Sequence, residues 1–322
     1  MKKLVAVAPD RVEVVEVDMP KVGEDDVLVR GVRSLLSPGS ELKRVRRAEG
    51  YGRGTWPNHD LGYAMAGVVE EVGSGVRGLA PGDRVITMGH HQQFVLASGL
   101  LSGRRPAIPL PGEVGWDDAP FGCWGRSCIN WMRRAGIRHD ESVAVVGCGL
   151  VGLLMVMWSR LSNPRRVIAI DLSEKRLELA KRAGADAVVN PGAGDVVEGV
   201  RALTGEGSDV TLHCVGGPAV KAFETSQLVT RNGGRVVLVG HHSSELSILP
   251  RQFTGKDLLG ASVGFDSGAQ LFVDGLQLLQ AGKLPVAEIV THKEPYTGAP
   301  AIYDMLIEDP EDAGAILLEW DV

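Results

Sequence analysis

The run Val143–Leu154, VAVVGCGLVGLL, sets Gly147, Gly149 and Gly152 as G-x-G-x-x-G between a strand-like apolar stretch and a helix-like one. The three glycines differ in what they do physically. The first makes a tight turn, the second lets backbone approach a pyrophosphate, and the third packs helix on strand. The N-terminal amides of the following helix, from Leu150, Val151 and Gly152, then face the anion. Asp171 closes the next apolar run, RVIAID, 24 residues after Gly147, near the roughly 20-residue interval at which a carboxylate meets a ribose. A carboxylate there accepts hydrogen bonds from the ribose hydroxyls of NAD and repels the extra phosphate of NADP, so NAD(H) is the expected cofactor. Arg176, on the next helix, either lies over the adenine or stays solvated. Val215, Val239 and Gly240 follow later strands whose C-terminal ends border the same crevice.

The elements that must hold this loop are legible in the periodicity. KLVAVA, RVEVVEV, DVLVRGV, GVVEEVG, PGDRVITM and QQFVLA alternate or cluster β-branched residues between polar turns, so about the first 110 residues read as an all-β unit. Around PLPGEVGWDDAPFG the texture changes, and Asp117 or Asp118 is available to cap a helix. From there strands alternate with helices: SVAVVG, LVGLLMVMWSRL, RVIAID, then SEKRLELAKRAG with Ser173 as N-cap and Gly184 as stop. ADAVVN, DVTLHCVG and GRVVLVG continue the strands up to LLGASVGF. Apolar strands alternating with helices imply a parallel sheet covered on both faces. The tail, with a helix-like APAIYDMLI and a strand-like AGAILLEW, is expected to pack back on the first unit.

A chain of 322 residues, 44% of them hydrophobic, has room for two cores. The net charge of -6 with scattered basic residues argues against a nucleic-acid surface. Four cysteines without CxxC spacing, and no apolar N-terminal signal, point to a reducing cytoplasm. GLVGLLMVMW is far too short to cross a bilayer, so no membrane partner is expected.

The motifs GYAMAGVVEEVG, PGDRV, VAVVGCGLVGLL, RLELAKRAGADAVVNP, GGRVVLVG and LLGASVGF together resemble the medium-chain dehydrogenase/reductase family, of zinc-type alcohol dehydrogenase kind, over nearly the whole chain. The resemblance implies an α/β protein: a GroES-like β-rich catalytic domain over 1–121 and 266–322, and a Rossmann doubly wound NAD-binding domain over 122–265. It also implies a cleft between them, a small-molecule substrate, and a homodimer or homotetramer. Zinc-dependent members carry a Cys after the third strand, a His-Glu pair in the glycine segment, and another Cys at the domain junction. The corresponding places look like Ser37, Tyr63 with Ala64, and Cys123. Hydroxyls are poor zinc ligands beside thiolate and imidazole, so no zinc is expected, and SPGSE looks like a branch containing SPGTE proteins.

Without a metal, hydride transfer still needs a proton donor and acceptor near the reacting oxygen. The candidates are Tyr63, at a lost ligand position, Ser40 on the SPGSE turn, His91 in GHHQQF and His241 after VVLVG. Ser37, Glu41, Cys123, Trp124 and His242 are expected around the substrate, with Glu41 also stiffening its turn by accepting backbone hydrogen bonds. His213 reads as a satisfied core histidine. The leading expectation is a zinc-independent, NAD-dependent dehydrogenase acting on a secondary alcohol or ketone of a sugar, polyol or secondary metabolite. The alternatives are reduction of an activated C=C bond, and a non-catalytic NAD-binding protein.

Overall fold

Alternating valines in the first third produce strands, with their apolar faces turned inward. In the computed structural model these are β1 (Lys2–Ala8), β2 (Arg11–Glu16), β3 (Asp26–Leu36), β4 (Met65–Val72), β5 (Arg84–Thr87), β6 (Phe94–Ser98) and β7 (Ile108–Pro109). The structure describes residues 1–46, 56–101, 103, 105–217, 219–240, 245–248, 250–261 and 268–320. They form two units, Met1–Arg126 with Gly264–Lys283 and Val290–Val322, and Ser127–Val263 with Leu284–Ile289. Among the described residues, no helix is long and apolar enough to cross a membrane.

In the first unit β1 and β2 form an antiparallel ribbon, and β3 is the axis of the main sheet. It pairs β4 along one edge, while the other edge is shared: Asp26–Arg30 pair β6, and Arg33–Leu36 pair the C-terminal strand β15 (Ala315–Glu319). The tail thus returns as a central strand, flanked in turn by β14 (Val290–Pro295). Leu36, Met65, Leu61, Tyr303, Leu318 and Trp320 pack in the same core. Arg33 of β3 meets Asp117 at 2.9 Å and Glu319 at 2.8 Å, and Lys293 meets Asp117 at 2.8 Å. This corrects one expectation, because Asp117 serves these cations and Asp118 precedes the short 3-10 helix Ala119–Trp124 without a side-chain cap bond.

A second correction concerns SPGSE, which continues as the helix α1 (Pro38–Arg46) and is no mere turn. Pro38 suits the first helical position, where its missing N–H is no loss. Glu41 Oε1 accepts the Ser37 amide at 2.7 Å and closes the helix start.

The second unit begins within α2 (Gly125–Ala135) and alternates β8 (Ser142–Val146), α3 (Leu150–Arg160), β9 (Arg166–Ile170), α4 (Glu174–Arg182), β10 (Ala187–Val189), α5 (Val196–Thr204), β11 (Ser208–His213), α6 (Val220–Val229), β12 (Thr230–Leu238) and β13 (Asp257–Gly260). The six strands run parallel in the order β10-β9-β8-β11-β12-β13. The order reverses between β8 and β11, which is the doubly wound Rossmann arrangement. Every residue of β8 is buried, as helices on both faces of the sheet require. Arg235 of β12 clamps the end of α2, donating to Ala135 O at 2.6 Å and to both oxygens of Glu141 at 2.8 and 2.7 Å. The segment Leu284–Ile289 belongs here, apart from the α7 (Gln270–Gln280) and α8 (Ala299–Glu308) helices that flank it in sequence, because Val286 and Ile289 are buried beside α3 and α4.

Candidate active site

The glycine loop leaves β8 and enters α3 with Gly149 as N-cap. Gly147 has φ +90°, a backbone conformation side chains rarely adopt. A Cβ on Gly152 would lie 1.8 Å from Gly147 O, whereas one on Gly149 would meet nothing within 4 Å. The first and third glycines are therefore fixed by the protein's own backbone, and the second leaves an open approach to the α3 amides of Leu150, Val151 and Gly152, which have no carbonyl partner in the preceding turn. Asp171, after β9, accepts from Cys148 N at 2.7 Å and from Ser173 N at 2.9 Å. These two bonds aim the carboxylate across the loop. Arg176 lies in the first turn of α4, its amide donating to Ser173 Oγ. Val215 borders Gly147 and Gly240, and Val239 and Gly240 follow β12, both amides donating to His213 O.

In the first unit α1 and the segment before β4 bring hydroxyls together. The Tyr63 hydroxyl lies where the Ser37 and Ser40 side chains act on it, and its ring lies 5.5 Å from that of Trp124. Tyr63 is half-buried. Burial pushes its phenol above the ordinary tyrosine range, the Ser37 bond works the other way, and the nearby Glu41 charge adds to the rise. Tyr63 thus stays protonated at neutral pH. Cys123 is buried, its thiol donating to Thr87 O at 3.4 Å and pushed up by burial to about 12.

Behind the hydroxyls lies a buried polar chain that sequence reasoning missed. His91 Nε2 is 3.1 Å from Glu41 Oε2, His91 Nδ1 is 2.7 Å from Ser34 Oγ, and Trp320 Nε1 donates to the same Ser34 hydroxyl at 2.8 Å. Tyr303 donates its hydroxyl to Glu41 Oε2. Burial would raise the Glu41 carboxyl, but His91, Tyr303 and the Ser37 amide outweigh it and the pKa falls below the carboxylate range. Gly62 makes room for this chain, with φ +82° and no space for a Cβ against the His91 ring. His91 is fully buried with both ring nitrogens engaged, which corrects its assignment as a proton donor to substrate. It supports α1 through Glu41, and the backbone bond expected of Glu41 is present.

His241 and His242 lie outside the described residues. His213 is buried on β11, bonded to Ser226 Oγ at 2.9 Å and edge-on to Phe223. At the places that look like those of the family's zinc ligands stand two hydroxyls, the Ala64 methyl and a single thiol, a donor set that does not fit catalytic zinc. Among the described residues no group of three or more His, Cys, Asp or Glu side chains is disposed to hold a metal ion.

A GroES-like unit with a hydroxyl-lined helix start and a Rossmann unit with an open phosphate loop define an alcohol dehydrogenase-like oxidoreductase. Residues 23–125 match the family model for the alcohol dehydrogenase GroES-like domain, and residues 151–280 the model for zinc-binding dehydrogenases. The L-threonine 3-dehydrogenase of Pyrococcus abyssi is 30% identical, with 87% of each chain covered. The chain belongs to the zinc-type medium-chain dehydrogenase/reductase family. Its fold is shared by a zinc-binding dehydrogenase from Sinorhizobium meliloti bound to NADP, with 22% identity, TM-score 0.84 and 99% and 98% of the two chains covered. It is also shared by an alcohol dehydrogenase from Escherichia coli CFT073 complexed with NADH, with 19% identity, TM-score 0.84 and 99% of each chain covered.

Proposed function

We propose that this chain is an NAD-dependent dehydrogenase that works without zinc on a secondary alcohol or ketone of a polar substrate such as a polyol or sugar. The observation that carries it is the Tyr63 hydroxyl, kept protonated and set beside Ser37 and Ser40, at the place that looks like the family's metal site. The names of relatives, sorbitol, L-idonate and L-threonine dehydrogenases among them, are those of a polyol, a sugar acid and a hydroxy amino acid, and support the polar substrate class. Asp171 supports NAD, since its carboxylate is aimed across the loop where a ribose phosphate would meet its charge. The neighbouring folds carry NADP in one case and NADH in another, so Asp171 and not the fold bears this choice.

Gly147, Gly149 and Gly152 with the α3 amides would hold the pyrophosphate, and Asp171 the adenosine ribose. When bound, the nicotinamide supplies or takes up the hydride. Tyr63, protonated, donates a hydrogen bond to the substrate oxygen and so stabilises charge that builds on it as a ketone is reduced. An alkoxide is a stronger base than a phenolate, so the Tyr63 proton passes to it. Ser37 and Ser40 then stabilise the phenolate until a proton returns from solvent. Alcohol oxidation runs the same steps backwards and is favoured by higher pH, where the phenol ionises more readily. Titration with NADH and NADPH tests the cofactor choice, and tighter NADPH binding would remove Asp171 from this role.

A further inference from the structure

Cations gather in the first unit beside the carbonyl of Gly62, the residue directly before Tyr63. His90 Nδ1 lies 3.0 Å from Gly62 O, and its Nε2 lies 3.2 Å from Arg105 Nη2. The Gly62 carbonyl needs a donor and the guanidinium needs an acceptor, so the ring is neutral with its proton on Nδ1. Lys3 of β1 is held nearby by the bridge of its backbone to Gln92, and its charge acts on both Arg105 and His90. Among the described residues the Lys3 ammonium has no hydrogen bond or ion pair. Among the described residues one carboxylate faces the group, that of Asp60, 3.5 Å from His90 Nε2 and largely exposed. A further cation, Arg44, is bound to the Asp60 backbone carbonyl.

Cations outnumber the carboxylate here, and the imbalance acts on the groups themselves. Burial, then Arg105 and Lys3, pulls His90 down to about 4 against the opposing pull of Asp60. Burial and Arg105 lower Lys3 as well, again opposed by Asp60. An anion among these groups relieves the repulsion between them. We propose that Lys3, His90 and Arg105 form a subsite for an anionic group, a carboxylate or phosphate carried by the substrate itself. The assignment deepens the dehydrogenase reading and rests on it. The anion accepts from Arg105 and Lys3, and His90 takes a proton from solvent at Nε2 to become a further donor.

The test is calorimetric titration with inorganic phosphate at ionic strength held constant with chloride. It compares the unmodified protein with Lys3→Gln, Arg105→Gln and a control, Arg77→Gln, whose guanidinium binds Ser74 O and Val76 O. Saturable binding is expected in the unmodified protein and the control, about threefold or more weaker in K3Q and R105Q, as loss of a partly exposed charge pair implies. The His90 resonance should titrate at higher pH with phosphate present. No saturable binding, or equal binding in all four proteins, overturns the subsite. No turnover is needed for this arm, so a failed dehydrogenase reading shows separately as phosphate binding without turnover of any alcohol. A second arm compares a neutral polyol with its carboxylate and its phosphate ester. A lower KM for the carboxylate or for the ester, raised in K3Q with kcat kept, supports the subsite and identifies the group; the same KM for all three overturns it.

Discussion

At the scale of single residues, the proposed function turns on protons held where they are useful. Tyr63 is kept as a phenol by burial and by the Glu41 charge, so Tyr63→Phe removes a donor and leaves the ring. Steady-state assays should then show kcat reduced about 100-fold, the lower range for a lost acid/base group, while NADH binding by fluorescence titration stays unchanged. Glu41 is held ionised below the ordinary carboxylate range. A carboxylate with a depressed folded pKa stabilises the protein above its unfolded pKa, and that stability is lost as pH falls through the folded value. Urea unfolding followed from neutral into acid pH should therefore show a flatter acid limb in Glu41→Gln than in the unmodified protein. Tyr303→Phe removes one donor from the buried carboxylate and should cost about 1–3 kcal/mol in the same experiment. Little of this chain of bonds is readable in the sequence, because its partners are remote: 50 residues separate His91 from Glu41, and 262 separate Tyr303 from Glu41. Ser37, Ser40 and Tyr63 are readable, since the glycine frame around Tyr63 and the SPGSE phrase mark them.

At the scale of elements, the glycine loop separates packing from binding. A Cβ at Gly152 collides with the loop's own carbonyl, and one at Gly149 meets nothing within 4 Å. Gly149→Val should melt close to the unmodified protein by calorimetry yet bind NADH at least about tenfold more weakly, a loss of roughly 1.4 kcal/mol. Gly152→Val should fail to fold or melt far lower. Equal effects at both positions would contradict this division of roles. The strands and helices of the second unit are legible because apolar runs of strand length, helix periodicity and caps such as Ser173 agree with one another. SPGSE reads as a turn because Pro, Gly and Ser are turn residues, although Pro in the first turn with an acidic residue behind it is also a helix start. Asp117 reads as a cap because its true partners, Arg33 and Lys293, come from distant strands.

At the scale of the whole chain, the tail and the opening strands make one sheet. β15 supplies the partner for the C-terminal half of β3, and Trp320 reaches Ser34. Removing residues 315–322 should strip hydrogen-exchange protection from β3 while leaving β8–β12 protected, because those strands lie in the second unit. That the tail returns is legible from its closing helix-like and strand-like runs; that it enters between β3 and β14 is not, since sheet order depends on pairings that local patterns do not encode. The central claim, that hydroxyls stand where the family places a metal and act in its stead, is tested most directly by one measurement. Protein dialysed against a strong chelator is analysed for zinc and assayed for NADH-dependent turnover of polar ketones, beside Tyr63→Phe. The expected result is turnover that survives with zinc far below one equivalent and is lost in Y63F. Stoichiometric zinc in the active protein, with activity that disappears on chelation and returns on zinc addition, would contradict it.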